Sequence, residues 1–268
     1  MTAGFERNRI FRTDCFKLME QLPDQSVSLI LTDPPYGIRY QNQFTQCRHP
    51  PIAGDGGIDF EHFAKESYRI LKENSHAYFF TRFDCYAYHY NCLEQAGFSI
   101  KNCLVIEKGS VGGIGDLRGS YANNAEWIIF CQKGRRLFNH TTLLCNRKKE
   151  GTIFHPGRKP SQKYKTRFNA CWFGSEYPKA THNATWQRKN QVFHPTIKNE
   201  TFLSWLIQIS SQPGELVFDG FMGSGSTAVA AIITGRDYIG AEINDNYYNV
   251  AKMRIAETEA INHRPVAK

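Results

Sequence analysis

A proline-rich turn follows an apolar segment near the start of the chain. Residues 29–32 have the composition of a buried strand, and Asp33, Pro34, Pro35 and Tyr36 come directly after it; these four residues are called the proline turn below. Neither proline has a backbone N–H and both fix φ, so the turn is rigid and offers acceptors rather than donors. An adenine N6 amine needs two acceptors and, once flipped, a flat partner for its ring. Asp33, the Pro34 carbonyl and Tyr36 supply these groups, whereas the alternative is an ordinary Asp-Pro turn.

A glycine-containing loop between a strand and a helix is the second candidate site. Residues 216–218 predict a strand, residues 220–225 form the glycine-rich loop, and a helix follows. Glycine lets the backbone approach a ligand closely. Glu242 ends the next strand, 17 residues after Gly225, near the spacing at which an acidic residue binds ribose hydroxyls. The pattern predicts an adenosine-containing cofactor; the alternative is a glycine that only packs a helix against a strand. A phosphate-binding P-loop is disfavoured, because no Lys follows the glycines at the required place.

Strands and helices that alternate along the chain would position these two motifs. Their order is typical of βαβ units. We predict strands at residues 27–31, 77–80, 104–106, 127–131, 216–218 and 238–241. Helices are predicted at residues 59–71 and 202–209 and within residues 223–234; one further helix ends near residue 97, and a final helix starts near residue 245.

The middle of the chain departs from this alternation and is strongly basic. Between residues 133 and 190, fourteen Lys and Arg oppose only Glu150 and Glu176, so the segment carries +12 while the whole chain carries +8. Such a concentration of positive charge favours a polyanionic partner, first of all a nucleic acid, although a solvated loop is the alternative. We expect DNA phosphates or bases to be contacted by Arg147, Lys148, Lys149, Arg158, Lys159, Lys163, Lys165 and Arg167.

The remaining composition excludes several classes of protein. Eight cysteines are scattered without a CxxC pair or a zinc-type Cys/His cluster, which predicts a reduced protein without a metal site. Arg7, Arg9 and Arg12 stand where a signal peptide needs an apolar stretch, and no apolar run approaches the ~18 residues of a membrane span. We therefore expect a cytoplasmic protein that does not enter a membrane.

The proline turn together with Phe221 to Gly225 makes the chain resemble the amino-methyltransferases of DNA, in the subgroup whose catalytic motif precedes its cofactor motif. Further segments match in the same order: Thr13 to Cys15, Leu22 to Asp24, Arg69 to Lys72 and His194 to Lys198. The resemblance implies an α/β fold with a doubly wound, mostly parallel sheet of the class I methyltransferase type, permuted. It implies that residues 1–132 are the catalytic half, residues 193–268 the S-adenosylmethionine-binding half, and residues 133–192 an inserted DNA-recognition region.

The resemblance also assigns the cofactor site by position. Asp14 is expected to bind the adenine of S-adenosylmethionine and Glu242 its ribose. Three positions depart from the family pattern, because Gly220 and Asn199 stand where Pro is common and Ser226 stands where Thr is usual. The methionine end is expected at Asp219, Phe221 and Gly223, and the rest of the pocket at Thr196, Lys198, Ser224 and Gly225.

The activity that the resemblance implies is methylation of double-stranded DNA at specific sites, as in restriction-modification systems, by an enzyme that is expected to dimerise. In the expected direct displacement, the flipped base's amine attacks the sulfonium methyl while Asp33 and the Pro34 carbonyl hold its N–H groups. Adenine N6 is favoured, since cytosine-N4 members with this layout often carry Ser at the position of Asp33. The alternatives are a cytosine-N4 or RNA methyltransferase, and a non-catalytic, cofactor-regulated DNA-binding module.

Overall fold

A mixed sheet of eight strands forms the centre of the described part of the protein, in the order β1-β8-β7-β2-β3-β5-β4-β6. The computed structural model describes residues 5–36, 57–107, 125–139, 171–172 and 197–262. All neighbouring strands are parallel except the two pairs that contain β5. The strands are β1 Arg9–Phe11, β2 Val27–Thr32, β3 Leu71–Thr81, β4 Ser99–Glu107, β5 Ala125–Lys133, β6 Cys171–Trp172, β7 Leu216–Asp219 and β8 Asp237–Ala241.

Helices cover both faces of this sheet. One apolar core contains residues of the first three helices and the other contains residues of the last three. The predicted α/β fold with a doubly wound, mostly parallel sheet is therefore confirmed. The helices are α1 Cys15–Met19, α2 Phe60–Ile70, α3 Tyr86–Gln95, α4 Glu200–Ser210, α5 Ser226–Ile233 and α6 Asp245–Asn262. No described helix is both long and apolar enough to cross a membrane.

Strand β2 shows why the central segments are apolar without alternation. All six of its residues are buried. Ile30 belongs to one core, whereas Leu29 and Leu31 belong to the other. Since successive strand side chains point to opposite faces, a strand covered on both sides carries apolar residues at consecutive positions, as at residues 29–31.

Helix α2 forms where its sequence pattern predicts it. The Asp59 side chain caps the helix by accepting a 3.0 Å hydrogen bond from the His62 N–H. Phe60, Phe63 and Ala64 are buried against the sheet. The helix thus places aromatic rings beneath the glycine-rich loop, where Phe63 packs on Phe221 with a ring-centroid distance of 5.1 Å.

Strand β3 begins six residues before the predicted residue 77, at Leu71. Residues 72–75 are polar and give no apolar signal, but β3 pairs with β2 on one side and β5 on the other. At the far end of β5, the buried Lys133 donates hydrogen bonds of 2.8 and 2.9 Å to the carbonyls of Tyr68 and Leu71. This lysine closes the C-terminal end of α2, and its charge faces the protein rather than a partner.

The first residues of the predicted basic insertion also contact the core. Arg136 forms a 3.0 Å ion pair with Glu215, and the Asn139 N–H donates a 2.8 Å hydrogen bond to the carbonyl of Ile209. Of the fourteen basic residues counted above, Lys133 and Arg136 therefore bind to the core. Residues 140–170 and 173–196 lie outside the described residues, so the division into two halves and an insertion stays a prediction.

Candidate active site

The carboxyl ends of β2 and β7 meet at the centre of the sheet. These two strands are parallel neighbours, with Leu29 opposite Val217 and Ile30 opposite Phe218. From here the sheet continues to β3 on one side and to β8 on the other, which is the switch point where open α/β sheets bind ligands. The Thr32 hydroxyl donates a buried 2.7 Å hydrogen bond to Asp219 Oδ1. The proline turn and the glycine-rich loop therefore begin side by side.

Asp219 is a buried carboxylate at the start of the glycine-rich loop. Its Oδ1 also accepts a 3.0 Å hydrogen bond from the Phe221 N–H. Burial raises the pKa of Asp219 from 3.8 to about 6, although hydrogen bonds from Thr227 and Thr32 act in the opposite direction. A carboxylate held out of water in this way is stabilised by any cation that reaches it.

The glycine-rich loop depends on glycine at its end and at the strand beside it. Gly225 has φ +83°, and a Cβ there would lie 3.0 Å from the Cβ of Ala251 on α6. On β8, a Cβ at Gly240 would lie 2.3 Å from the carbonyl oxygen of Asp219. Helix α5 starts at Ser226, so its N-terminal N–H groups face the loop. The loop thus keeps its backbone close to the sheet edge.

Glu242 follows β8 and holds the loop through its carboxylate. Its Oε2 accepts a 2.7 Å hydrogen bond from the Gly223 N–H, and its Oε1 accepts one of 2.7 Å from the Asn244 N–H. The residue is buried, and this burial raises its pKa. Each carboxylate oxygen has a second lone pair, so the group can still accept hydrogen bonds from a ligand.

Asp14 lies at the same edge of the sheet, after β1. Strand β1 pairs with β8, so the ends of both strands are neighbours. The Asp14 carboxylate caps α1 by accepting a 2.9 Å hydrogen bond from the Phe16 N–H, and its side chain is half-buried. Asp14 is therefore positioned by local capping, beside the edge that carries Glu242.

The proline turn presents a carboxylate with partners on both oxygens. The Tyr36 hydroxyl donates a hydrogen bond to Asp33 Oδ1, and the Lys198 ammonium lies 2.9 Å from Asp33 Oδ2. Burial, followed by the charge of Asp33, raises the pKa of Tyr36, so the phenol remains a donor. Pro34 is buried and Pro35 half-buried. The structure thus brings all four residues of the turn together at the switch point.

Lys198 contacts the proline turn rather than the glycine-rich loop. Besides Asp33, its ammonium lies 3.3 Å from Glu126 Oε1 and 4.5 Å from the centre of the Phe80 ring. Glu126 is not among the site residues predicted from the sequence. The only available signal was an acidic residue at the start of a buried strand. The predicted contact of Lys198 with a cofactor stays a prediction.

Arg254 is a second residue of the site that the sequence pattern did not predict. This buried side chain on α6 donates hydrogen bonds of 2.5 and 2.8 Å to the carbonyl and hydroxyl of Ser224, and one of 3.2 Å to the Ser226 hydroxyl. Its other nitrogen pairs with Glu200 on α4. The guanidinium therefore anchors the glycine-rich loop from behind and occupies the side chain of Ser224.

The three departures from the family pattern have local contacts. The Asn199 side chain caps α4 by accepting a 3.0 Å hydrogen bond from the Phe202 N–H, which a proline at this position would not do. A Cβ at Gly220 would lie 3.1 Å from the Phe63 ring, so the glycine leaves room for α2. Ser226 uses its hydroxyl as an acceptor for Arg254.

Part of the predicted site lies outside the described residues. Thr196 and all eight basic residues expected to contact DNA belong to this part: Arg147, Lys148, Lys149, Arg158, Lys159, Lys163, Lys165 and Arg167. Within the described ranges, no group of three or more His, Cys, Asp or Glu is arranged to hold a metal ion. The expectation of a metal-free site stays a prediction.

Solved structures share this fold across nearly the whole chain. The crystal structure of M1.HpyAVI in complex with S-adenosylmethionine has a TM-score of 0.62 and 20% identity, and the match covers 92% of this chain and 98% of that one. The PvuII DNA methyltransferase, described as cytosine-N4-specific, has a TM-score of 0.68 and 16% identity, and the match covers 97% of this chain and 92% of that one.

Sequence comparisons agree with the fold. The chain is 27% identical over 262 residues to the type II methyltransferase M1.MboII of Moraxella bovis. The aligned region covers 95% of this chain and 98% of that protein. A model of the N6/N4 methyltransferase family, described as DNA methylase, matches residues 27–253. Because this match spans most of the chain, the protein belongs to the N6/N4 DNA methylase family.

Proposed function

We propose that the protein transfers a methyl group from S-adenosylmethionine to the N6 amine of adenine in double-stranded DNA. The observation that carries this proposal is the 2.7 Å hydrogen bond between Thr32 and Asp219. It links the strand end that carries the amine-binding proline turn to the strand end that carries the cofactor loop. An amine held at Asp33 is then next to a ligand held at Asp219.

The residues at the switch point fit a cationic, adenosine-containing cofactor. When bound, S-adenosylmethionine supplies the methyl group as an electrophile on its positive sulfur. Asp219 offers a buried carboxylate for the positively charged methionine end. Glu242 offers free lone pairs on both oxygens for ribose hydroxyls, and Asp14 lies at the end of the next strand for the adenine. Gly225, whose φ of +83° lies in the left-handed region, ends the loop at a point where a Cβ would lie 3.0 Å from the Cβ of Ala251.

In the proposed reaction, the proline turn holds the target amine. Asp33 and the Pro34 carbonyl accept its N–H groups and keep its lone pair out of conjugation with the base ring. Tyr36 offers its ring for stacking once its hydroxyl releases Asp33. No strong base is required, because orientation and electrostatic complementarity supply most of the rate.

Two features bear on the choice of acceptor. The aspartate at position 33 favours adenine N6. The second candidate is cytosine N4. It is supported by the likeness in fold to the PvuII enzyme, described as cytosine-N4-specific, whose TM-score of 0.68 is higher than the 0.62 of M1.HpyAVI. Both acceptors are exocyclic amines next to a ring nitrogen, so the same pair of hydrogen-bond acceptors serves either one.

The experiment that tests the proposal is mass spectrometry of nucleosides. Genomic DNA and total RNA are incubated separately with the protein and with methyl-deuterated S-adenosylmethionine. We expect deuterated N6-methyladenine from DNA only. Deuterated N4-methylcytosine would change the acceptor, labelled RNA nucleosides would change the substrate, and no label in either would leave the non-catalytic DNA-binding module.

We also propose, from the family resemblance, that the protein is a homodimer. Light scattering on the purified protein without nucleic acid tests this proposal.

A further inference from the structure

Glu126 lies near the start of β5. Because β5 runs antiparallel to β3, it starts at the edge of the sheet where the parallel strands end. In the pairing of β3 with β5, Thr81 lies opposite Trp127, so β5 begins where β3 ends. The side chain of Glu126 is only 17% exposed. A carboxylate thus stands near the proline turn on a strand that carries neither the proline turn nor the cofactor loop.

The ammonium of Lys198 is shared between two carboxylates. It lies 2.9 Å from Asp33 Oδ2 and 3.3 Å from Glu126 Oε1, and the Phe80 ring is 4.5 Å away. The Lys198 side chain is 15% exposed, so water screens these contacts less than it screens surface ion pairs. Asn199, the next residue, caps α4 and so fixes the backbone from which Lys198 extends.

We propose that Glu126 is a positioning residue that draws the positive charge of Lys198 away from Asp33 and thereby sets how strongly Asp33 attracts the target amine. This inference rests on the proposed function. Without the charge of Glu126, Asp33 would no longer share this ammonium with a second carboxylate. The amine nitrogen bonds to the methyl group as the methyl–sulfur bond breaks, and the amine is positive until it releases an N–H proton to water. An Asp33 whose charge is offset by the whole charge of Lys198 would therefore stabilise the transition state less. Glu126 acts through Lys198 and does not touch the substrate.

The first test is Glu126→Gln, which keeps the shape of the side chain and removes its charge. We expect the single-turnover rate of methyl transfer to fall about tenfold, equivalent to about 1.4 kcal/mol of barrier. The dissociation constant of S-adenosylmethionine should change by less than about twofold, since the cofactor ligands proposed above, Asp14, Asp219 and Glu242, lie at the ends of β1, β7 and β8 and not on β5. Glu126→Asp should recover part of the rate. The matched control is Glu61→Gln, which removes an exposed carboxylate that pairs with Lys65 on α2.

The second test asks whether Glu126 acts through Lys198. In a Lys198→Met background, adding Glu126→Gln should not change the rate of methyl transfer, because Lys198 no longer brings a positive charge to Asp33. If Glu126→Gln lowers the rate as much in the Lys198→Met background as in the wild-type protein, the inference is wrong. It is also wrong if Glu126→Gln alone has the wild-type rate. A parallel loss of rate, cofactor affinity and melting temperature would also overturn it, because that is the signature of a purely structural role. If the wild-type protein methylates no nucleic acid, the proposed function fails first, and this result is distinct from an active wild type with an unaffected variant.

Discussion

The hydroxyl of Thr32 donates a buried 2.7 Å hydrogen bond to Asp219 Oδ1, and this contact joins the ends of β2 and β7. Replacing Thr32 by Val keeps the side-chain shape and removes the donor. Leaving a buried carboxylate with one donor fewer should lower the free energy of unfolding by about 1–3 kcal/mol. We also expect weaker binding of S-adenosylmethionine, measured by calorimetry. Thr32→Ser retains the hydroxyl and should behave as wild type; a stable Thr32→Val protein with unchanged affinity would refute the role of this contact.

Asp219 predicts how stability depends on pH. Folding raises its pKa from 3.8 to about 6, mainly by burial, so the folded state binds the proton more tightly than the unfolded state. Its contribution to stability is therefore present at low pH and is lost as the pH rises from about 4 to about 6. Asp219→Asn does not titrate. The difference in unfolding free energy, wild type minus Asp219→Asn, should decrease over this window and stay flat above it; a difference independent of pH contradicts the shift.

Glu242 is the proposed ribose ligand. Glu242→Ala should weaken S-adenosylmethionine binding by about 1.5–3 kcal/mol, the range for hydrogen bonds to charged groups. Because the carboxylate also accepts the N–H groups of Gly223 and Asn244, part of this loss can come from the loop itself. Glu242→Gln keeps one acceptor oxygen and provides the comparison. Calorimetry on both variants checks the prediction, and unchanged affinity in Glu242→Ala would remove Glu242 from the cofactor site.

The basic segment predicts the salt dependence of DNA binding. If Lys148, Lys149, Lys163 and Lys165 each neutralise a phosphate, changing all four to Ala should flatten the slope of log affinity against log salt by about 3–4, at roughly 0.9 per contact. The affinity for S-adenosylmethionine should not change. A matched control removes the same charge from the surface of the core, by changing to Ala the exposed residues Lys17, Lys65, Lys101 and Lys252. Equal slopes for wild type and the first variant would place the DNA contacts elsewhere.

The sequence predicted those parts of the fold that depend on local patterns. Strand β2 was recognisable because every residue is buried between two layers of helices, and α2 because its apolar face repeats with the helical period. The start of β3 was missed, since residues 72–75 are polar and the strand is held here by the pairing of Leu71 with Val27 and of Ser75 with Lys133. That pairing joins segments that are far apart in the chain and leaves no periodic signal.

The candidate site shows the same division. The proline turn and the glycine-rich loop were identified because their chemistry lies in consecutive residues. Glu126 and Arg254 were missed because their partners, Lys198 and Glu200, are distant in the sequence. An isolated Glu or Arg in a sequence usually lies in solvent, so only the fold reveals that these two charges are mostly withdrawn from water.

The most direct test of the account separates methyl transfer from cofactor binding in one variant, Asp33→Ala. The carboxylate of Asp33 is assigned to the target amine, while Asp14, Asp219 and Glu242, the proposed ligands of the cofactor, lie at the ends of β1, β7 and β8. We predict that Asp33→Ala incorporates no labelled methyl group into DNA in a single-turnover assay, while its dissociation constant for S-adenosylmethionine stays within about twofold of wild type. Loss of cofactor binding together with activity, or methylation at the wild-type rate, would contradict the assignment of Asp33.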